Sequence, residues 1–219
     1  MGVYYEYFSH VGAAETGLYY QCRPSGVLSI LQEAATDAAC QFGGSGPEML
    51  ERYHAIWMLT RMWYRLDRPL MWNDELMVRT WHRGDKGAML YRDFDLFVEG
   101  RPVGEAVSVW VLADVESRKL LRLSAVEEIA STGGGELCKS KRLTRVRMPE
   151  GMTLADRRRF HYSDTDSNGH VNNVRYADAA ADAVRLEECL KGRFVSSLQI
   201  GYLKECMAGE TVDIYTGTR

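Results

Sequence analysis

The sequence predicts an α+β protein in which a long helix is wrapped by an antiparallel sheet, with that plan present twice. Three observations carry the expectation. An amphipathic helix pattern covers 25–42, four strand-like runs follow it directly, and the order helix, strand, strand returns at an offset of about 146 residues. A helix followed by a run of strands is the pattern of the α+β class.

Residues 1–24 read as strand and loop, rich in aromatics at Tyr4, Tyr5, Tyr7 and Phe8. In the first helix Leu28, Leu31, Ala35, Ala38 and Phe42 recur at spacings of three and four, which makes one apolar face. Ser25 is the expected N-cap and Gly43-Gly44 the stop. Gly46 to Arg52 predicts a short second helix. The strands are expected at 54–66, 74–83, 88–99 and 102–114, with Pro69, Gly84 with Gly87, and Gly100 at the turns.

The stretch 124–155, with Thr132-Gly133-Gly134-Gly135, Pro149 and Gly151, reads as a linker between a first unit at 1–123 and a second at 156–219. A strand is then expected to run to about Tyr162. A helix over 173–190 follows, with Val174, Ala177, Ala181 and Val184 on its apolar face, and then strands near 194–205 and 211–216. Identity between the halves is negligible, so the repeat is one of pattern. Only 29 residues follow Leu190, against about 80 after the first helix. A full copy needs roughly two more strands, so the second sheet is read as cut short, or else small.

Composition narrows the function classes. Hydrophobic residues make up 46% and charged residues 26%, as in a folded globular protein. A net charge of −3 gives no global pull toward nucleic acid or an anionic membrane. The apolar stretch Ala106 to Ala113 is far short of the ~20 residues a bilayer needs. The first residues lack the basic and apolar regions of a secretory leader, and Tyr5 and Glu6 stand where a myristoylation signal needs Ser or Thr. The five cysteines are Cys22, Cys40, Cys138, Cys189 and Cys206, with no C-x-x-C pair. They argue against a disulfide framework or a zinc site and fit a reducing cytoplasm. His161 and His170 lack partner ligands at usable spacing, so neither metal nor cofactor is expected.

The chemistry is concentrated between Tyr162 and Asn173. Asp164, Asp166, Asn168, His170, Asn172 and Asn173 gather around Gly169 directly before a helix. Carboxylate, imidazole and carboxamide together can activate a water and polarise a carbonyl. The helix start adds backbone N–H groups and the positive end of its dipole. The same residue types are also ordinary turn and cap residues, and it is the whole string D-x-D-x-x-G-H-V-N-N that separates the two readings.

That string resembles the active-site signature of hotdog-fold thioesterases, and most of the chain resembles the acyl-acyl-carrier-protein thioesterases. In the first half the similar stretches are Trp57 to Met62, Trp72-Asn73-Asp74, Thr80-Trp81, Arg92-Asp93 and Ser108 to Val111. In the second they are Ser163 to Asn173 and Tyr202-Leu203-Lys204-Glu205-Cys206. The tryptophan-centred pieces could equally be core aromatics of any sheet. The resemblance implies a double hotdog and hydrolysis of a fatty acyl thioester, with Asp166, Asn168, His170 and Glu205 as the catalytic set. Gly169 departs from the larger residue of plant members.

On that reading Glu205, expected on a strand, is the base for the water. Asn168 orients the water or holds the thioester carbonyl, His170 shares the water or orients Glu205, and Asp166 fixes Asn168 and His170. Cys206 offers a rival nucleophile with His170 and Asn168. Neighbours on a strand face opposite ways, which favours Glu205. The first half reads Arg23-Pro24-Ser25-Gly26 at the corresponding turn and lacks the set. Its expected task is to bind the acyl chain through Leu31, Ala35, Trp57, Leu59 and Trp63, with Asn173 adding a substrate contact from the second half. A plain core explains the apolar residues as well.

Between Lys139 and Arg159 stand eight basic residues against Glu150 and Asp156. This run is either a solvated linker or a docking surface for an acidic acyl carrier protein. No nucleic-acid motif accompanies it. An acyl-CoA thioesterase and a non-catalytic acyl-binding hotdog are the competing functions, and a homodimer is possible.

Overall fold

The computed structural model describes residues 4–122, 126 and 143–218. The first long helix, α1, spans Pro24–Gln41. Pro24 stands at its first turn, where a ring with fixed φ and no N–H is tolerated, and Arg23 is the N-cap without a side-chain bond. Ser25 is therefore not the cap: it lies inside the first turn, buried. Val27, Leu28, Ile30, Leu31, Ala34, Ala35 and Ala38 are all buried on the face turned to the sheet. After Phe42 the chain reverses at Gly43 (φ +74°), where the left-handed backbone suits glycine. Helix α2, Gly46–Tyr53, opens with a capping box. The Ser45 hydroxyl accepts the Glu48 N–H at 3.4 Å, and the Glu48 carboxylate accepts the Ser45 N–H at 3.1 Å.

The strands are β1 Tyr5–His10, β2 Ala55–Leu66, β3 Glu75–Lys86, β4 Met89–Val98, β5 Arg101–Asp114 and the short β6 Leu120–Leu121. In the second half come β7 Thr153–Arg159, helix α3 Asn173–Ala183, helix α4 Leu186–Cys189, β8 Ser197–Gly201 and β9 Thr211–Thr216. The main sheet runs in the order β1-β3-β4-β5-β2-β8, with β6 beside β5, and every pairing is antiparallel. One face carries α1 over a core that includes Leu59, Met62, Tyr64, Phe94 and Leu96. This is the α+β tandem hotdog plan: a helix cradled by a sheet, then the elements restarted.

A bulge in β2 between Leu59 and Arg61 sets which residues face α1. There the Thr60 hydroxyl donates to the Val109 carbonyl at 2.9 Å. One extra residue inverts the alternation downstream. Leu59, Met62 and Tyr64 thus join the α1 core, whereas Trp63 packs on the opposite face with Val107, Val109 and Leu143. Trp57, Leu59 and Trp63 consequently do not form one wall. Trp57 sits by Met49 and Leu112 and donates its indole N–H to the Gly44 carbonyl at 2.8 Å. Other tryptophan-centred motif residues also have sheet roles. The Thr80 hydroxyl donates to the Asp93 carbonyl at 2.8 Å, the Arg83 guanidinium grips the buried Asp93 carboxylate, and the Trp110 indole donates to the Ser108 hydroxyl at 2.8 Å. Burial lowers the Arg92 guanidinium to about 10.

The second half differs from its sequence reading in three places. Strand β7 begins at Thr153, inside the expected linker; the glycine run at 132–135 lies outside the described residues. The expected helix 173–190 is broken at Arg185, which takes a left-handed φ of +50° between α3 and α4. The expected strand 194–205 is only Ser197–Gly201. Strand β8 pairs with β2, Arg65 opposite Ser197 and Arg61 opposite Gly201, so the second half extends the first sheet. Strands β7 and β9 form a separate pair, and α3 packs against α1. Leu143 and Thr144 cross the outer face of the sheet, where their carbonyls accept from Arg61 (3.2 Å) and Gln199 (2.7 Å).

Gly104 tests the closeness of β5 to β2. A Cβ there would lie 2.5 Å from the Arg65 carbonyl oxygen, a backbone atom that cannot swing away. Gly104→Ala is expected to cost about 1–3 kcal/mol, as overpacking does. Calorimetry should then show Tm lower by roughly 3–10 °C.

Candidate active site

The loop before α3 is a tight hairpin. Thr165 and Val171 pair as an isolated bridge, and the Asp166 N–H donates to the His170 carbonyl at 2.9 Å. The Gly169 N–H donates back to the Asp166 carbonyl at 3.0 Å, and Gly169 has φ +79°. Glycine adopts that conformation without the strain a larger side chain would carry. The Asp166 carboxylate accepts the Asn168 backbone N–H at 2.8 Å. Asp166 therefore holds the turn together through backbone bonds, and the Asn168 side chain stands exposed at its tip.

The loop is anchored behind this turn. The Asp164 carboxylate accepts the His161 N–H at 2.9 Å and pairs with the Arg158 guanidinium at 3.2 Å. Arg158 also reaches Asp182 at 3.1 Å. Burial pushes the Asp164 carboxyl up, but the His161 N–H and Arg158 outweigh it, and the group sits below the ordinary carboxylate range. The Asp164 carbonyl accepts the Asn172 N–H at 2.8 Å. Asn172 caps α3: its carboxamide oxygen accepts the Val174 N–H at 3.1 Å and its carbonyl the Arg175 N–H at 2.9 Å. Asn173 is the first residue of α3, and its carbonyl accepts the Tyr202 hydroxyl at 3.2 Å.

Glu205 reaches this loop without a strand to carry it. After β8 the Tyr202 N–H donates to the Thr60 carbonyl at 2.9 Å, beside the β2 bulge, and the chain leaves the sheet. It meets the loop where His170 bridges Met207 and the Val171 N–H donates to the Cys206 carbonyl at 2.8 Å. Glu205 Oε2 then lies 3.4 Å from His170 Nε2. Cys206 turns elsewhere. Its N–H donates to the Tyr176 hydroxyl at 3.2 Å, within an aromatic row in which Tyr176 lies 5.7 Å from Phe160 and 5.9 Å from Tyr202. Burial, then the hydrogen bond with the Cys206 thiol, pushes the Tyr176 phenol well up. Carboxylate and thiol thus have different neighbours: Glu205 meets His170, and Cys206 meets Tyr176.

The structure thus brings Asp166, Asn168 and His170 into one turn and sets Glu205 against His170. It does not gather the proposed acyl-binding residues: Leu31, Ala35 and Leu59 are buried in the α1 core. A cavity of about 410 Å³ lies elsewhere, against the middle and C-terminal end of α3, with Leu66, Leu70, Ala177, Ala181 and Phe194 among its walls. None of the catalytic candidates lines it. Asp164 stands in the sequence motif without a role of its own, and Arg158, Tyr176 and Tyr202 have no site role in the sequence reading. Tyr202 was visible at the head of the Tyr-Leu-Lys-Glu-Cys motif, but its bond to Asn173 needed the fold. In the basic run, Arg157 pairs with Asp213 at 2.6 Å and Arg158 with Asp164 and Asp182, so both are engaged within the chain. Residues 139–142 lie outside the described residues.

The acyl-ACP thioesterase N-terminal domain family matches residues 4–131, and the acyl-ACP thioesterase C-terminal domain family matches 152–219. The chain belongs to the acyl-ACP thioesterase family. Among curated relatives it is 25% identical to the chloroplastic oleoyl-acyl carrier protein thioesterase of Coriandrum sativum, over 92% of this chain and 59% of that protein. It is 27% identical to the chloroplastic palmitoyl-acyl carrier protein thioesterase of Gossypium hirsutum, over 82% of this chain and 46% of that one. The chain thus spans about half the length of the curated relatives it matches. Among solved structures, an acyl-ACP thioesterase from Bacteroides thetaiotaomicron superposes with a TM-score of 0.83 at 21% identity, covering 96% of this chain and 85% of that one. The 12:0-ACP thioesterase from Umbellularia californica gives 0.78 at 18% identity, covering 97% and 93%. These likenesses establish the shared fold.

Asp164 provides a test of the loop's anchoring. A carboxyl lowered in the folded state stabilises the fold above the ordinary carboxylate range, and that contribution is lost as pH falls through the lowered value. Asp164→Ala is expected to cost about 1–2 kcal/mol at pH 7, from the lost charged hydrogen bonds. The gap from the wild type in urea unfolding should narrow as pH falls below ~4, the ordinary carboxylate value.

Proposed function

We propose that this protein hydrolyses fatty acyl thioesters carried on acyl carrier protein, releasing the free fatty acid. The observation that carries the reading is Glu205 Oε2 set 3.4 Å from His170 Nε2 beside the Asp166–Gly169 turn. Glu205 removes a proton from a water as its oxygen bonds to the thioester carbonyl carbon. The carbonyl oxygen becomes an oxyanion, held by the Asn168 carboxamide and by N–H groups at the positive end of α3. Asn172 already takes the Val174 and Arg175 N–H groups, which gives Asn168 the larger share. Collapse of the tetrahedral intermediate breaks the C–S bond, and the proton held by Glu205 passes to the leaving thiolate. His170 orients Glu205 through the cycle. The role follows: ending acyl elongation in fatty acid synthesis.

Fatty acid release from acyl-carrier proteins and matching acyl-CoAs of several chain lengths tests the reading. A preference for the carrier-bound substrate supports it; faster turnover of acyl-CoA replaces it with an acyl-CoA thioesterase. Glu205→Ala is expected to lower kcat by about 10²-fold or more, as loss of a general base does, while Cys206→Ala keeps most activity. The reverse pattern would make the thiol the nucleophile.

The basic run is part of the proposal as a docking surface for the acidic carrier. Because Arg157 and Arg158 are in ion pairs within the chain, charge reversal there would confound docking with folding. Arg145, exposed on the segment after Leu143, gives the cleaner test. Arg145→Glu should raise KM for acyl-carrier protein, not for a short acyl thioester. The effect should fade above ~0.1 M salt, where the screening length is about 10 Å. Equal effects on both substrates would remove the docking role.

A further inference from the structure

We propose that Arg118, in the turn after β5 of the first half, is a positioning residue for the Glu205 carboxylate. Its Nη1 lies 3.6 Å from Glu205 Oε1, while His170 Nε2 lies 3.4 Å from Oε2. The two carboxylate oxygens thus face different cationic or hydrogen-bonding partners, one from each half of the chain. The inference rests on the reading of Glu205 as the base.

The turn that carries Arg118 is built to hold it there. The Asp114 carboxylate, at the end of β5, accepts both the Ser117 N–H at 2.7 Å and the Ser117 hydroxyl at 2.6 Å. The Ser117 bonds hold that carboxyl below its usual range. The Arg118 N–H donates to the Asp114 carbonyl at 3.0 Å, and the Asp114 N–H to the Lys119 carbonyl at 2.9 Å. The Val115 N–H donates to the His54 carbonyl, at the α2–β2 junction, at 2.9 Å. Arg118 itself takes φ +56°, a left-handed conformation uncommon for a residue with a Cβ, and strain of that kind persists where surrounding bonds enforce it.

Glu205 needs such a tether. It lies outside any strand, on the irregular stretch between β8 and Met207, and its side chain is 40% exposed. A flexible carboxylate there samples orientations that point no lone pair at a bound water, and small misplacements of a reacting group lower rates steeply. A guanidinium on one oxygen and an imidazole on the other fix the plane of the carboxylate. The first half, whose own turn at Arg23-Pro24-Ser25-Gly26 lacks the catalytic set, thereby contributes a side chain to the reacting centre.

The test uses the full chain with acyl-carrier protein as substrate. Arg118→Ala is expected to lower kcat about 10-fold with KM changed less than about twofold, the pattern of a lost transition-state effect. Arg118→Lys should recover most of the rate, because a cation remains in reach. Lys119→Ala, in the same turn and without contact to Glu205, should match the wild type. In a Glu205→Gln background Arg118→Ala should add no further loss. Tm should stay within about 2 °C, since exposed ion pairs contribute little to stability. Unchanged kcat in Arg118→Ala, no recovery with lysine, or an equal loss in the Glu205→Gln background would each overturn the inference. If the wild type cleaves neither acyl-carrier protein nor acyl-CoA, the thioesterase reading falls instead; an active wild type with an indifferent Arg118 removes only this role.

Discussion

Burial of α1 against one face of the antiparallel sheet is the constraint on which the rest depends. Leu28, Leu31, Ala34 and Ala38 lose nearly all contact with water there, and burial of such surface is the main driving force available to the fold. The alanines matter as much as the leucines, because short side chains let the helix lie close to the strands. Helix α3 takes its place by packing on α1, with Ala177 in the shared core and Val174 packed against it. The position of α3 fixes Asn172 and Asn173 at its start, and these fix the end of the loop that bears His170.

From there the site is assembled by backbone bonds more than by its functional side chains. Asp164, Asp166 and Asn172 spend their side chains on N–H groups of the loop and the helix start. His170 and Glu205 are left to face each other. Such division is economical, since a carboxylate occupied by a cap is a poor base but a strong clamp. The resemblance grouped Asp166 with the catalytic set, and the geometry gives it the clamp's share.

Much of this was legible in the sequence. Helix α1 and strands β2 to β5 lie within about three residues of their expected limits, because long apolar patterns bounded by glycine and proline are strong local signals. The motif from Asp164 to Asn173 was read as one site for the same reason: its members are close in sequence and so necessarily close in space. What was not legible depends on tertiary placement. The bulge at Thr60 reversed the facing of Trp63 and owes its stability to Val109, some fifty residues away. The break at Arg185 interrupts a run that reads as unbroken helix, and no glycine or proline marks it. The release of the chain from the sheet after Gly201 left Glu205 off the strand on which it was expected. Arg118 carries no signal in one dimension, since only folding brings it to Glu205.

The pairing of β8 with β2 has a consequence for how the molecule can be divided. Two consecutive units in one polypeptide invite the view that each is a self-sufficient module that could be expressed, swapped or evolved alone. Here the boundary in sequence is not a boundary in hydrogen bonding. Remove the second unit and β2 becomes an open rim from Arg61 to Arg65, with Leu66 also losing its bond to the Ser196 carbonyl. Unsatisfied edges of that kind recruit whatever strand is at hand, including those of identical neighbours. Any cut between the two units therefore exposes a strand edge that only the intact chain keeps paired, so the second unit acts as the first one's edge guard.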